Sequence, residues 1–360
     1  MSDKTGIEWT DATWNPVTGC DKVSDGCTHC YADTIAHRFA GTKAYPNGFQ
    51  VTLRPDRLDQ VLRWRRPRRI FVNSMSDLFH DQVPDEYIAR VFAIMAVAQH
   101  HTFQILTKRH ARMRSLLSRA DGSFIYNALL SMFTDETLTV PAKGMLTDQV
   151  QAALDRNAFG QGWPLPNVWL GVSTENQKWA DIRIPALLDT PAAIRFISAE
   201  PLLGPINLKP HLQCFHCKTT HRFSDDCDKM GRPIPHGPLA KRHIDWVIVG
   251  GESGHGARPM HHNWARNVRD HCQAASVAFL FKQWGDWRWA GEAEHPDYDA
   301  ALHNRFPGAP LKIIRADGTE TYELRPGNAV VQRVGKKAAG RELDGRTWDQ
   351  YPSTTAAVLA

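Results

Sequence analysis

Six short apolar runs, each ending on a polar residue or a glycine, constrain this 360-residue chain more than any other feature. Residues 70–72 precede Asn73-Ser74, 103–106 precede Thr107-Lys108, and 168–172 precede Ser173-Thr174-Glu175. Residues 194–197 precede Ser198-Ala199-Glu200, 246–249 precede Gly250-Gly251-Glu252, and 278–281 precede Lys282-Gln283-Trp284. The runs are β-branched or aromatic and continuous rather than alternating, the pattern of parallel strands covered on both faces. Helical spacing fills the intervals. In 84–99, Ile88, Val91, Phe92 and Met95 fall at i, i+3, i+4 and i+7 behind the start signals Pro84 and Asp85. Stretches 176–188 and 263–275 are similar, with Pro185 expected to interrupt the first.

Repeated β–α units imply an α/β fold, either a doubly wound sheet or a closed or partial (β/α) barrel. A partial, TIM-like barrel is preferred, because a cysteine motif precedes the series and no glycine fingerprint follows the first strand. The polar residues after the strands then share one rim, where such folds place their active sites. The expected division is a barrel over 1–290, a small cysteine-containing insertion at 209–243 and a cover or lid at 291–360. Residues 120–166 add helical and loop material, and no internal repeat is present. Hydrophobic content of 42% and charged content of 22% fit a globular protein rather than a disordered one. No apolar run approaches the roughly 18 residues of a membrane span, and the polar, Trp-containing start does not read as a signal peptide. A cytoplasmic protein that makes no membrane contact is expected.

Six of the seven cysteines form two groups, 20/27/30 and 214/217/227. Without an export signal such groups read as metal sites before disulfides. Cys272, alone in a helical stretch, reads as a packed thiol. Cys20, Cys27 and Cys30 sit in a glycine-containing loop, Trp14 to Tyr31. Three thiolates can hold three irons of a cubane and leave the fourth open to a ligand. A zinc site completed by His29 or a distant histidine, or unligated thiols, are the alternatives.

This pattern resembles the radical S-adenosylmethionine (SAM) superfamily, with its C-x3-C-x2-C motif. More closely, the chain is similar to a phage-associated family named for its three-cysteine motif. The matching stretches are 6–10 (GIEWT), 73–77 (NSMSD), 104–108 (QILTK), 197–205, 247–259 and 281–285. More distantly, it resembles spore photoproduct lyase and similar DNA-directed enzymes. One departure stands out: six residues rather than three separate Cys20 from Cys27. The resemblance implies a [4Fe–4S] cluster, SAM cleaved reductively at it, and an electron donor such as flavodoxin or ferredoxin. By position it places Asn73, Ser74, Ser76 and Asp77 near the methionyl end of SAM. Thr107 and Lys108 then approach the carboxylate, Ser173, Glu175 and Glu200 the ribose, and Gly250, Gly251 and Glu252 the adenine or substrate. Each of these residues also suits a strand–helix cap or turn.

Cys214 and Cys217 form a C-x2-C knuckle, followed by Cys227, with His236 or His221 as fourth ligand. Zinc is the first expectation for this short, polar insertion; a second iron–sulfur cluster or free thiols are the others. Arg63, Trp64, Arg65, Arg66, Arg68 and Arg69 gather five arginines around one indole, a combination suited to nucleic acid. Lys108, Arg109, His110, Arg112 and Arg114 form a second basic run. Either run also fits a solvated face. A net charge of +5 leans mildly toward polyanions. The expected function is a radical-SAM enzyme acting on DNA, in the manner of a photoproduct lyase or another repair enzyme. A peptide or metabolite substrate, and a non-catalytic zinc-stabilised nucleic-acid-binding protein, are the rivals.

Overall fold

The computed structural model describes residues 5–120, 122–134, 147–157, 162–212, 243–292, 308–323 and 325–353. The chain opens with β1 (Ala12–Trp14), β2 (Val17–Thr18), α1 (Tyr31–Arg38), β3 (Thr52–Leu53), β4 (Arg69–Val72) and α2 (Asp85–Val97). Next come β5 (Thr102–Thr107), α3 (His110–Leu117), α4 (Gly122–Thr134), α5 (Thr147–Asn157), β6 (Val168–Ser173) and α6 (Gln177–Leu188). The series closes with β7 (Ile194–Ala199), α7 (Lys209–Leu212), β8 (Trp246–Gly250), α8 (His262–Ala274) and β9 (Ala278–Gln283). Seven strands form one sheet in the order β1-β4-β5-β6-β7-β8-β9, every neighbouring pair parallel. Each crossover thus steps in the same direction. Right-handed connections then put the helices on one face, and the sheet curls about the other as a half-barrel. All six apolar runs are strands of this sheet, as the partial-barrel reading requires.

The continuity of those runs follows from the two faces. On the outer face Val72, Phe103, Ile105, Val172, Val249 and Phe281 join the helix residues Ile88, Phe92 and Met95 in one core. On the inner face Phe71, Trp169, Phe196, Trp246, Ile248 and Leu280 pack around Trp9. Gly171 is small for a reason: a Cβ there would lie 2.5 Å from the Phe196 ring.

Pro185 does not interrupt α6, contrary to expectation; the helix continues to Leu188. Proline removes the N–H that would reach Asp181, but Asp181 and Pro185 both face solvent, where water can satisfy the freed carbonyl. Ile184, Ala186 and Leu187 on the opposite face stay buried and hold the last turn in place. Cys272 is fully buried on α8, a packed thiol.

Beyond the sheet, β10 (Trp287–Glu292), β11 (Leu311–Ile314), β12 (Glu320–Thr321) and β13 (Ala329–Arg333) form an antiparallel sheet in the order β10-β13-β11-β12. The chain then returns along β9. Phe281 N–H donates to Trp348 O at 2.9 Å, and Gln350 N–H to Phe279 O at 3.2 Å. Trp246 Nε1 donates to Gln350 O at 2.8 Å, and Tyr351 packs on the inner cluster. The returning segment covers what would otherwise be an open sheet edge. Among the described residues no helix is long and apolar enough to cross a membrane. Cys214, Cys217, Cys227, His221 and His236 lie outside the described residues.

Candidate active site

The cysteine loop spans the C-terminal ends of the parallel strands. Its first end is pinned beside β4: Gly19 N–H donates to Met75 O at 3.0 Å, and Cys20 N–H to Phe49 O at 3.1 Å. A Cβ on Gly19, whose φ is +86°, would fall 2.1 Å from Gln50 O, so this turn requires glycine. Its middle reaches the far side of the rim, where Gly26 N–H meets Glu175 Oε1 at 3.4 Å and Asp25 O accepts from Arg258 Nη2 at 3.0 Å. The ring of His29 rests on Gly256, where a Cβ would be 2.7 Å from its Cε1. The last thiol, Cys30, is the N-cap residue of α1. The Tyr31 hydroxyl donates to Ser74 O, tying the start of α1 back to β4. Residues following β4, β6 and β8 therefore all touch one loop.

Cys20, Cys27 and Cys30 are half-buried and unbonded to one another. Burial, with the Asp77 carboxylate beside it, pushes the Cys20 thiol up to about 12 against the pull of Arg109. A metal held there must displace that proton. Among the described residues no three His, Cys, Asp or Glu side chains already converge as a metal site. The donor chemistry nevertheless fits an iron–sulfur cluster, since three soft thiols come from one loop. Both amide atoms of Asn73, the Ser173 hydroxyl and the Thr174 hydroxyl are buried without a hydrogen bond. Asn73 holds φ at +61°, a region asparagine tolerates better than most residues. Buried polar atoms of this kind call for a partner.

The four rim carboxylates are, by contrast, engaged. Asp77 accepts from Thr107 Oγ1 at 2.7 Å, Lys108 N–H at 3.0 Å and Phe79 N–H at 3.0 Å. Glu175 pairs with Arg183 at 2.8 Å, both side chains fully buried. Glu200 pairs with Lys282 at 2.7 Å, and Glu252 with Arg258 at 2.6 Å. The hydroxyls of Ser74 and Ser76 are occupied too, with Asn15 and with Val17 O. Gly250 makes room for Glu200, since a Cβ would sit 3.1 Å from its Cδ. Gly251 is filled from behind, its Cβ position only 2.0 Å from Trp284 O.

The polar residues after the strands mark the rim but not the divisions within it. Asn73 and Ser173, expected to meet a ligand, have unpaired polar atoms. Thr174, Arg183, Arg258, Lys282 and Asn15 carried no expected ligand role. Arg183 and Arg258 had a signal, each following a rim glutamate within eight residues. The arginine run lies elsewhere, before β4 and so at the N-terminal end of the strands. Arg63 pairs with Asp59 at 2.6 Å, Arg68 covers Trp64 at 4.9 Å, and Arg69 binds Asp11 at 3.2 Å. Arg65 and Arg66 are exposed. In the second run, Arg109 meets Asp81 at 3.5 Å and Arg112 meets Asp85 at 2.7 Å.

Residues 4–352 match the model of one protein family, described as "Protein of unknown function (DUF5131)". No curated protein matches the chain. Among solved structures, a cysteine-to-serine mutant of spore photoproduct lyase is similar over 92% of this chain and 71% of its own. Its sequence identity is 10% and its TM-score 0.37, too slight a likeness to bear on function.

Proposed function

The chain belongs to the DUF5131 family, and from that premise we propose that it is a radical-SAM-type enzyme acting on nucleic acid. One observation carries the reading: a single loop bearing three unbonded thiols is tied to the segments that follow β4, β6 and β8 at the C-terminal end of the parallel sheet, the end that also carries buried polar atoms without partners. Cys20, Cys27 and Cys30 would hold a [4Fe–4S] cluster, which with SAM and an electron from a donor would supply radical chemistry for hydrogen abstraction from a substrate. Asn73, Ser173 and Thr174 offer both donors and acceptors to the polar groups of the bound molecule. The aromatic floor of Trp9, Trp169, Phe196 and Trp246 closes the half-barrel from below and keeps water out of the chemistry.

The substrate reading draws on the mouth of the site. Val23, Tyr31, Ile35 and Phe39 are exposed large apolar residues clustered on the cysteine loop and α1, with Arg38 over the Phe39 ring at 5.7 Å. Exposed aromatics beside arginine suit stacked bases. A damaged base leaves its stack at low cost, so reversal of a DNA lesion is the form of the activity we favour. A small redox protein such as flavodoxin or ferredoxin supplies the electron. The test is anaerobic reconstitution with iron, sulfide, dithionite and SAM, scored for 5′-deoxyadenosine with and without UV-irradiated DNA. Release that DNA stimulates supports the full reading. Release that DNA leaves unchanged moves the substrate to a peptide or metabolite, and no release at all overturns the enzyme reading.

A further inference from the structure

Six residues separate Cys20 from Cys27, and the only regular structure in that spacer is the turn Asp25–Cys27. A free loop of this length has to be ordered whenever its thiol joins a shared site, at a cost in backbone entropy. The structure removes much of that freedom at one peptide unit. The Asp25 carbonyl and the Gly26 N–H are the two ends of the same peptide. The first accepts from Arg258 Nη2 at 3.0 Å, and the second donates to Glu175 Oε1 at 3.4 Å. Cys27 follows directly.

Each gripping side chain is itself fixed. Arg183 Nη1 binds Glu175 Oε2 and Ser173 O, both at 2.8 Å, and its guanidinium lies 4.0 Å over Trp179. Arg258 makes a fork onto Glu252, Nη2 to Oε1 at 2.6 Å and Nε to Oε2 at 2.8 Å, while its own N–H donates to Oε2 at 2.9 Å. Glu175 also lies close against Gly26, where a Cβ would stand 3.2 Å from Glu175 Cδ. The grips come from the segment after β6 on one side and from the segment after β8 on the other, so the peptide is oriented by two separate parts of the rim.

We infer that Glu175 and Arg258 are positioning residues that hold the Asp25–Gly26 peptide and thereby set Cys27 for the three-thiol site, an inference that rests on the reading given above. This role differs from the ribose and adenine contacts that position along the chain implied for Glu175 and Glu252. Residues that orient a metal ligand typically change metal affinity about 10–100-fold when replaced.

The test has two arms on the full chain. In metal-free protein, alkylation of Cys20, Cys27 and Cys30 by iodoacetamide is followed separately by peptide mass spectrometry. In protein reconstituted with iron and sulfide, iron release to a chelator is timed. Arg258→Ala and Glu175→Gln are expected to speed alkylation several-fold at Cys27 while Cys20 keeps its rate, and to raise iron release about tenfold. Arg258→Lys, which retains one donor, should recover part of both effects. Gly26→Ala should reproduce them by displacing Glu175. Equal acceleration at all three thiols marks general loosening and overturns the inference, as do unchanged rates. Should Glu175→Gln fail to fold, Arg258→Ala and its lysine rescue decide. Should the wild type take up no iron and sulfide, the cluster reading fails, and the alkylation arm still decides whether the clamp exists.

Discussion

Lys282 reaches across β8 to meet Glu200 at 2.7 Å, and the carboxylate lies over Gly250, whose absent Cβ leaves the space. Gln283 adds a second donor to the same oxygen at 3.2 Å. The pair joins β9 to the end of β7 at the mouth of the half-barrel.

Both side chains are largely buried, so removing one partner leaves the other charge stranded. Lys282→Met should destabilise the protein by about 3 kcal/mol, within the range for breaking a buried pair. Lys282→Met with Glu200→Gln should recover most of that loss. Urea denaturation of the two singles and the double checks the coupling; strictly additive losses would show that the pair is solvated.

Gly171 and Phe196 make the packing counterpart. Gly171→Ala forces a methyl into the Phe196 ring and should cost about 1–3 kcal/mol, the usual range for overpacking. Adding Phe196→Leu should relieve part of it. A thermal midpoint unchanged by Gly171→Ala would mean that the inner face is looser than its geometry states.

Nucleic-acid contact separates the two ends of the half-barrel. If substrate lies over α1, Arg38→Ala should flatten the salt dependence of DNA affinity by about one phosphate contact, worth roughly 0.7 to 0.9 in log–log slope. Arg65→Ala with Arg66→Ala, at the opposite end of the strands, should leave the slope as it was. The reverse result would place DNA on the arginine run and away from the cysteines.

The insertion carries its own prediction, from sequence alone. If Cys214, Cys217 and Cys227 hold zinc with His236 or His221, Cys214→Ala should release about one zinc per chain, one metal per tetrahedral site. Iron content should not change. Loss of iron in place of zinc would make the insertion an electron relay.

The sheet was legible because burial on both faces turns each strand into a continuous apolar run. β1 was not, since three residues with a half-exposed centre carry no such run. The loop cysteines announced themselves by spacing, and the rim by its polar residues. Which rim residues stay unpaired was not readable, because it depends on partners far along the chain. The Thr107 hydroxyl donates to Asp77 and Glu175 is taken by Arg183, whereas the side-chain polar atoms of Asn73 and Ser173 have no partner. The arginine run depends on distant partners in the same way. Its composition is right for phosphate, but three of its members already hold Asp59, Trp64 and Asp11. Pro185 misled because a helix breaker is tolerated where the freed carbonyl faces water.

Metal content after anaerobic reconstitution tests the central claim most directly. The account predicts about four irons and four sulfides per chain, with the broad absorption near ~400 nm of a thiolate-ligated cubane. Cys20→Ala, Cys27→Ala and Cys30→Ala should each abolish both, while Cys272→Ala, in the helix core, should abolish neither. Full iron and sulfide in the three loop variants, or zinc bound at those thiols in place of iron, would contradict it.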